Sequence, residues 1–304
     1  MSLATGIGMK VTSHTGAVWD LMAGTEGAIL TNGLAGVHLP EMSQIVYKTA
    51  RSPGGRFEDV RWDTGELTME VTVADTWVNR PSGAFRRRDE FLMLDREFRD
   101  SFCPYHEMIV EFTALGQVRT FRGRLTGLER QNADFMPDTH GRADYEIELT
   151  PESPFFHGKP LVYDFPYTGS DLGDNYYGPD NEAPDFHITQ GSAVSNVTVT
   201  NPGQVECWPK WTIDGPGQAV VGIGDHLTTI TMLNEGERII VDTDPSTGGV
   251  WDESGDRAWD RLGPLYDFAP IHHASTIDAT AQLISAGPGA NIRLEIPSLW
   301  RSAW

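Results

Sequence analysis

Positive charge is scarce in this chain of 304 residues, which holds 23 Lys and Arg against 43 Asp and Glu, for a formal net charge of −20. A sequence-neutral grip on nucleic acid is made by clustered cations on phosphate, so that class of function is disfavoured. Cysteine is nearly absent: Cys103 and Cys207 are the only two. They lie far apart in the chain, so a structural disulfide is not expected and a zinc knuckle cannot be assembled, and both read as small, semi-buried hydrophobes. Long apolar runs are missing as well. None approaches the roughly 20 residues of a spanning helix, so membrane insertion is not expected. The opening "MSLATGIGMKVTSHTG" lacks a charged region followed by an apolar one, so no secretion signal is visible and folding in the cytosol is expected.

Signatures of catalysis are also wanting. The chain has no Gly-x-Ser-x-Gly elbow, no phosphate loop, no dinucleotide fingerprint and no His-Glu-x-x-His, and neither cysteine has the context of a thiol enzyme. "GIGDHL" (222–227) begins like a nucleotide loop and then stops. The acidic stretch 242–260 could offer carboxylates to calcium, but its spacing is not that of an EF-hand, and two Gly-rich turns flanking a strand at "GVWD" explain it better. Asp171, Asp174 and Asp180 read the same way. His272 and His273 are neighbours, and in a strand they would point to opposite faces. No catalytic residue, metal ligand or cofactor is therefore assigned, and the chain is not expected to be an enzyme.

What the sequence does hold is alternation. "ELTMEVTV" (66–73), "EMIVEFTA" (107–114), "QVRTFRGRL" (117–125), "ADYEIELT" (143–150), "AVSNVTVT" (193–200), "LTTITML" (227–233), "RIIVDT" (238–243) and "NIRLEI" (291–296) repeat with period two and are rich in β-branched residues. Such segments are strands with one buried face, and many at short spacing make sandwiches or barrels. A hairpin is expected around Leu115 to Gln117. One stretch breaks the rhythm: in "FRRRDEFLMLDREFRDSF" (85–102), Phe91, Leu94, Phe98 and Phe102 share one face of a helix.

Residues from about 152 to 188 are rich in Pro, Gly, Asp and Tyr and lack a period, which divides the chain into domain 1–158, linker 159–188 and domain 189–304. Charge follows that division. Residues 1–160 hold 17 Lys and Arg against 23 Asp and Glu, whereas 161–304 hold 6 against 20. The first half is the expected place for charge-matched contacts.

Arg80, Arg86, Arg87, Arg88, Arg96 and Arg99 cluster on and just before the helix. They read either as contacts with a neighbouring subunit or acidic partner, or as a solvated face with acidic partners four residues away. The nine tryptophans raise the possibility of sugar stacking, although in β-rich domains most are core or interface anchors. In "NPGQVECWPKWTIDGPG" (201–217), Trp211 and Ile213 fall on one face of a short strand and Thr212 on the other. Trp208, in the extended lead-in before Pro209, is the candidate ring for a glycan or partner.

The order of these blocks resembles a known family. "GLAGVHLP" (33–40), "SPGGRFEDVRWDTGELTMEVTV" (52–73) with its Gly-rich turn, the helix, the hairpin and "YEIELTPESPFFHG" (145–158) are similar to the ring-forming domain of distal tail proteins of long-tailed, non-contractile phages. Asn201, Gly203, Pro209, Trp211, Ile213, Gly215 and Pro216 match the opening of that family's second β-sandwich. "GERIIVDTDPSTGGVW" (236–251) and "ISAGPGANIRLEI" (284–296) resemble its later hairpin and strand. The resemblance implies a mainly β protein: an N-terminal β-sandwich or split-barrel ring domain with one amphipathic helix, then a C-terminal galectin-like β-sandwich. It implies a place in the virion, at the tail tip, as a homohexameric ring or as an adjacent minor tail protein. Its partners would be the tail-tube protein, the tape-measure protein and the hub or receptor-binding proteins, with DNA passing through the lumen unbound. A carbohydrate-binding β-sandwich is the alternative, with a glycosidase behind it.

Overall fold

The computed structural model describes residues 6–38, 40–50, 53–74, 88–131, 141–167 and 193–304. The chain forms two compact units, residues 1–158 with 300–304, and residues 159–299.

Unit 1 is built from β1 (Gly8–Thr12), β2 (Val18–Asp20), β3 (Ala28–Ala35), β4 (Met42–Tyr47), β5 (Arg56–Trp62), β6 (Leu67–Ala74), α1 (Arg88–Asp100), β7 (Met108–Ala114), β8 (Gln117–Arg130), β9 (Arg142–Pro151) and the start of β10 (Phe156–Pro166). An antiparallel sheet runs β2-β1-β7-β8-β9-β6-β3. Its length follows from β8, whose first half pairs with β7 and whose second half pairs with β9 across a bulge at Leu125/Gly127. The sheet curls until Leu30 N donates to Leu21 O at 2.8 Å, which ties β3 to the residue after β2 and gives a split barrel. Alternation does what the sequence requires: Leu67, Met69, Val71 and Val73 of β6 and Tyr145, Ile147 and Leu149 of β9 are buried in one core.

The helix lays its apolar face on that core. Phe91 and Phe98 are fully buried, Leu94 packs partly against the cluster, and Phe102 is buried just beyond the last helical residue, Asp100. Asp95 is the polar exception on this face. Its carboxylate accepts from Tyr145 Oη and from Arg99 Nε (3.1 Å), so a buried charge keeps two partners. Burial first, and Asp95 second, push the Tyr145 phenol well above the usual tyrosine range.

Unit 2 takes β11 (Ala193–Thr200), β12 (Lys210–Asp214), β13 (Gly217–Ile223), β14 (His226–Leu233), β15 (Arg238–Asp242), β16 (Gly249–Asp252), β17 (Thr276–Ile284) and β18 (Asn291–Trp300). One sheet is ordered β11-β17-β13-β14 and the other β16-β15-β12-β18, with β10 beside β18. Trp211 and Ile213 of β12 point into their shared core with Val221, Ile230 and Leu294, while Thr212 does not. The result is a β-sandwich.

Candidate assembly surface

The hairpin β4–β5 forms a two-stranded sheet of its own, with every residue of β4 exposed. Part of this stretch is expected from the sequence to be a Gly-rich turn. The turn is there, at 53–55, but it joins two strands. Cross-strand pairs Met42/Trp62, Gln44/Val60 and Val46/Phe57 share one face, and Ser43/Arg61, Ile45/Asp59 and Tyr47/Arg56 the other. The first face is therefore apolar along its length except at Gln44. The pattern depends on a bulge: the register shifts between Ile45 and Val46, leaving Glu58 unpaired. Without it, strict alternation would turn Phe57 to the side of Asp59 and Arg61. Phe57 is 57% exposed and Met42 50%, whereas Trp62 is half-buried with its ring edge-on to Phe155 at 5.7 Å, which anchors the base of the arm.

A two-stranded ribbon is marginally stable alone in water, and an exposed apolar stripe on one marks a surface that another surface covers.

Among the predicted contact residues, Arg96 and Arg99 lie on α1, where each finds an acidic partner one turn away: Arg96 Nε to Asp100 (3.3 Å) and Arg99 Nε to Asp95 (3.1 Å). Both pairs are intrahelical, and the Arg96 pair is largely exposed to water, so it adds little. Arg80, Arg86 and Arg87 lie outside the described residues, as does the side chain of Arg88.

Trp208 is half-buried, while Trp259 and Tyr266 of unit 2 expose 43% and 55% of their surface with ring centroids 5.9 Å apart. Nothing in their local spacing set these two rings apart in the sequence.

Three carboxylates of the acidic stretch 242–260, those of Asp242, Asp244 and Asp252, accept from nearby backbone. Asp244 Oδ1 accepts from Ser246 N (2.8 Å), and Asp252 Oδ1 accepts from Ser254 N and Asp256 N (both 2.9 Å), shaping the turns on either side of β16. "GIGDHL" is the end of β13, the two-residue turn Gly224–Asp225 and the start of β14. His272 faces Glu206 (3.3 Å) and His273 faces Gly203 O (3.1 Å), so the two imidazoles part company in a turn. Asp171, Asp174 and Asp180 lie outside the described residues.

No protein-family model and no curated protein matches the sequence. Solved structures do. The Dit protein (gp 19.1) of phage SPP1, described as a paradigm of the hub adsorption apparatus in phages infecting Gram-positive hosts, is 11% identical and superposes with a TM-score of 0.58 over 96% of this chain and 99% of its own. A chain of the phage P2 baseplate in its activated conformation with Ca is 11% identical, with a TM-score of 0.55 over 97% and 98%. The same baseplate with Sr gives 0.54 over 96% and 98%. Across nearly its whole length, this mainly β chain shares the fold of SPP1 Dit and of the phage P2 baseplate chain.

Proposed function

We propose that this protein is a structural component of a phage tail tip: a ring, sixfold, that joins the tail tube to the hub or receptor-binding apparatus and lets DNA pass. The observation that carries the reading is the apolar stripe Met42, Val46, Phe57, Val60 and Trp62, exposed at Met42, Val46 and Phe57, on an arm too thin to stand alone. A neighbouring copy of the chain covers that stripe in the ring, and closure removes the free edges a sheet otherwise presents. The fold shared with SPP1 Dit, whose structure is described as a paradigm of the hub adsorption apparatus, supports a place in a tail-tip assembly. Each copy carries −20, so a lumen lined by part of that charge repels DNA phosphates and the genome transits without sticking.

Mass photometry and negative-stain electron microscopy of the purified full chain, alone and co-expressed with the tail proteins encoded beside it, test the reading. A ring of six copies is expected. A monomer under both conditions would sink it.

A glycan-binding role has one observation in its favour, the exposed pair Trp259 and Tyr266. It predicts saturable binding on a glycan array that is lost in Trp259→Ala, and a blank array would dispose of it.

A further inference from the structure

Three soft donors converge at one end of unit 1. Strand β1 pairs with β7 so that Thr12 lies opposite Ile109. Two residues past Thr12 the chain is in the β1–β2 turn at His14, and three residues before Ile109 it is in the α1–β7 loop at His106. The register that closes the sheet thus delivers both histidines to one place, and Cys103 lies three residues from His106 in "CPYH". One nitrogen from each imidazole and Cys103 Sγ all lie within 4.8 Å of one another. Cys103 Sγ and His106 Nδ1 are 3.4 Å apart, and the rings of His14 and His106 stack at 4.9 Å with planes 11° from parallel.

Both loops are held in place from below. Phe102 and Met108, on either side of the "CPYH" stretch, are buried in the core, and Arg124 donates to Tyr105 O (2.9 Å) while bridging to Glu152 (3.1 Å). The β1–β2 turn closes by Ser13 N to Ala17 O (2.8 Å) and Gly16 N to Ser13 O (3.0 Å). The backbone of the cluster is therefore fixed, while the exposed rings of His14 and His106 have room to turn.

We propose that His14, Cys103 and His106 form a binding site for a thiophilic divalent cation of the zinc class. Zinc takes thiolate sulfur at about 2.3 Å and imidazole nitrogen at about 2.0–2.1 Å, so two such donors on one tetrahedral ion stand roughly 3.5 Å apart. The sulfur–nitrogen separation here is already that edge. Binding uses a lone pair of each imidazole and releases the Cys103 thiol proton to solvent. Three protein donors leave the fourth position to water or to a donor from another molecule. Hard cations such as calcium and magnesium are excluded by the absence of a carboxylate among the three donors. The ion staples the β1–β2 turn to the α1–β7 loop. Cys207 cannot substitute for Cys103: it is fully buried in unit 2, and burial foremost pushes its thiol up to about 12. The site is independent of the ring reading, since every donor comes from one chain.

Cobalt titration of the tag-free, reduced full chain tests it. One equivalent of Co²⁺ is expected to give a thiolate-to-cobalt charge-transfer band with the intense visible bands of tetrahedral coordination, displaced by one equivalent of Zn²⁺. Cys103→Ser is expected to abolish the charge-transfer band although Cys207 remains, and His14→Ala and His106→Ala to weaken zinc binding by more than the roughly 10–100-fold that loss of an outer-sphere partner costs. Circular dichroism of each variant confirms that it folds, and zinc is expected to raise the Tm of the wild-type chain but not of His14→Ala. A chain with no charge-transfer band, or one whose cobalt and zinc binding survives all three substitutions, would overturn the proposal.

Discussion

The guanidinium carbon of Arg119 lies 3.9 Å from the ring centroid of Trp300, and the same group donates to Ser302 O (2.9 Å) and Gln117 Oε1 (3.1 Å). Arg119 is only 7% exposed, so a planar cation is held in the wall of unit 1 by one aromatic face and the oxygens of Ser302 and Gln117. Replacing it with Met keeps the aliphatic stem but takes the donor from those acceptors, and is expected to cost about 2–3 kcal/mol. Arg119→Lys is expected to recover less than half, because an ammonium has neither the fork nor the stacking plane. Urea titration read by tryptophan fluorescence measures both.

On the arm, Phe57→Asp puts a charge in the middle of the apolar stripe without touching either core. Association is expected to fall by at least about tenfold, while monomer Tm stays within roughly 2 °C, since exposed substitutions away from core features move stability by about half a kcal/mol or less. Glu58→Lys, on the unpaired bulge residue, is the matched control and leaves association nearly intact. Analytical ultracentrifugation over a concentration series separates the two outcomes.

Alkaline stability of unit 1 depends on Tyr145. The fold favours the protonated phenol, so its contribution is whole below the ordinary tyrosine value of about 10 and is lost as pH rises through the higher folded value. Tyr145→Phe also removes a donor from the buried Asp95 carboxylate, and is expected to cost roughly 1–3 kcal/mol near neutrality. The variant's stability should then fall less between about pH 9 and pH 11 than the wild type's. Denaturant melts at the two pH values give the difference, and an undiminished alkaline fall in the variant would assign it to another group.

Asn201 organises the loop that opens the second sandwich. It is 5% exposed, its Nδ2 donates to Val205 O and Ile271 O (both 2.8 Å), and its Oδ1 accepts from Gly203 N (2.8 Å). Gly203 is fixed by space, since a Cβ there would lie 2.4 Å from Leu299 O. Asn201→Ala leaves the buried Gly203 N–H without its acceptor and takes a donor from Val205 O and from Ile271 O, which keeps Cys207 N (3.1 Å), and is expected to destabilise unit 2 by about 1–3 kcal/mol. Asn201→Asp restores the acceptor but not the donors and falls short of rescue. Thermal unfolding followed by calorimetry resolves both.

Leu115 and Gly116 make the two-residue turn between β7 and β8, both with positive φ (52° and 76°), and Leu115 is 94% exposed. Leucine pays for that conformation where asparagine would not, so Leu115→Asn is expected to stabilise unit 1 by about 0.5–1 kcal/mol. A destabilised Leu115→Asn chain, by chemical denaturation, would show that the side chain is held by something other than its own backbone.

Much of the fold was legible in the chain because it rests on local periodicity. Period two puts Met69, Val71 and Val73 on one side of β6 and Trp211 and Ile213 on one side of β12, and the helical period puts Phe91 and Phe98 inward, because in each case one face must leave water. The Leu115–Gly116 turn was visible for a similar reason, lying between two alternating runs. Arg96 and Arg99 could be placed on the helix but not given their partners, since Asp95 and Asp100 stand one turn away in a pattern that an intersubunit contact would also fit.

Composition and periodicity by themselves determined the β-rich class, the helix and its buried face, and the strand that opens the second sandwich. The tertiary structure decided everything that depends on pairing between distant segments. The apolar face of the arm exists because a bulge at Glu58 rotates Phe57 onto the side of Val60 and Trp62, which no strict alternation reveals. Arg119 meets Trp300, and His14 meets Cys103 and His106, through chain segments that are remote in sequence. The register that brings each pair together is selected by backbone hydrogen bonds and by the burial of Met9, Val11, Met108 and Val110, so the side chains that could hold an ion have no part in choosing it and leave no mark in the local pattern.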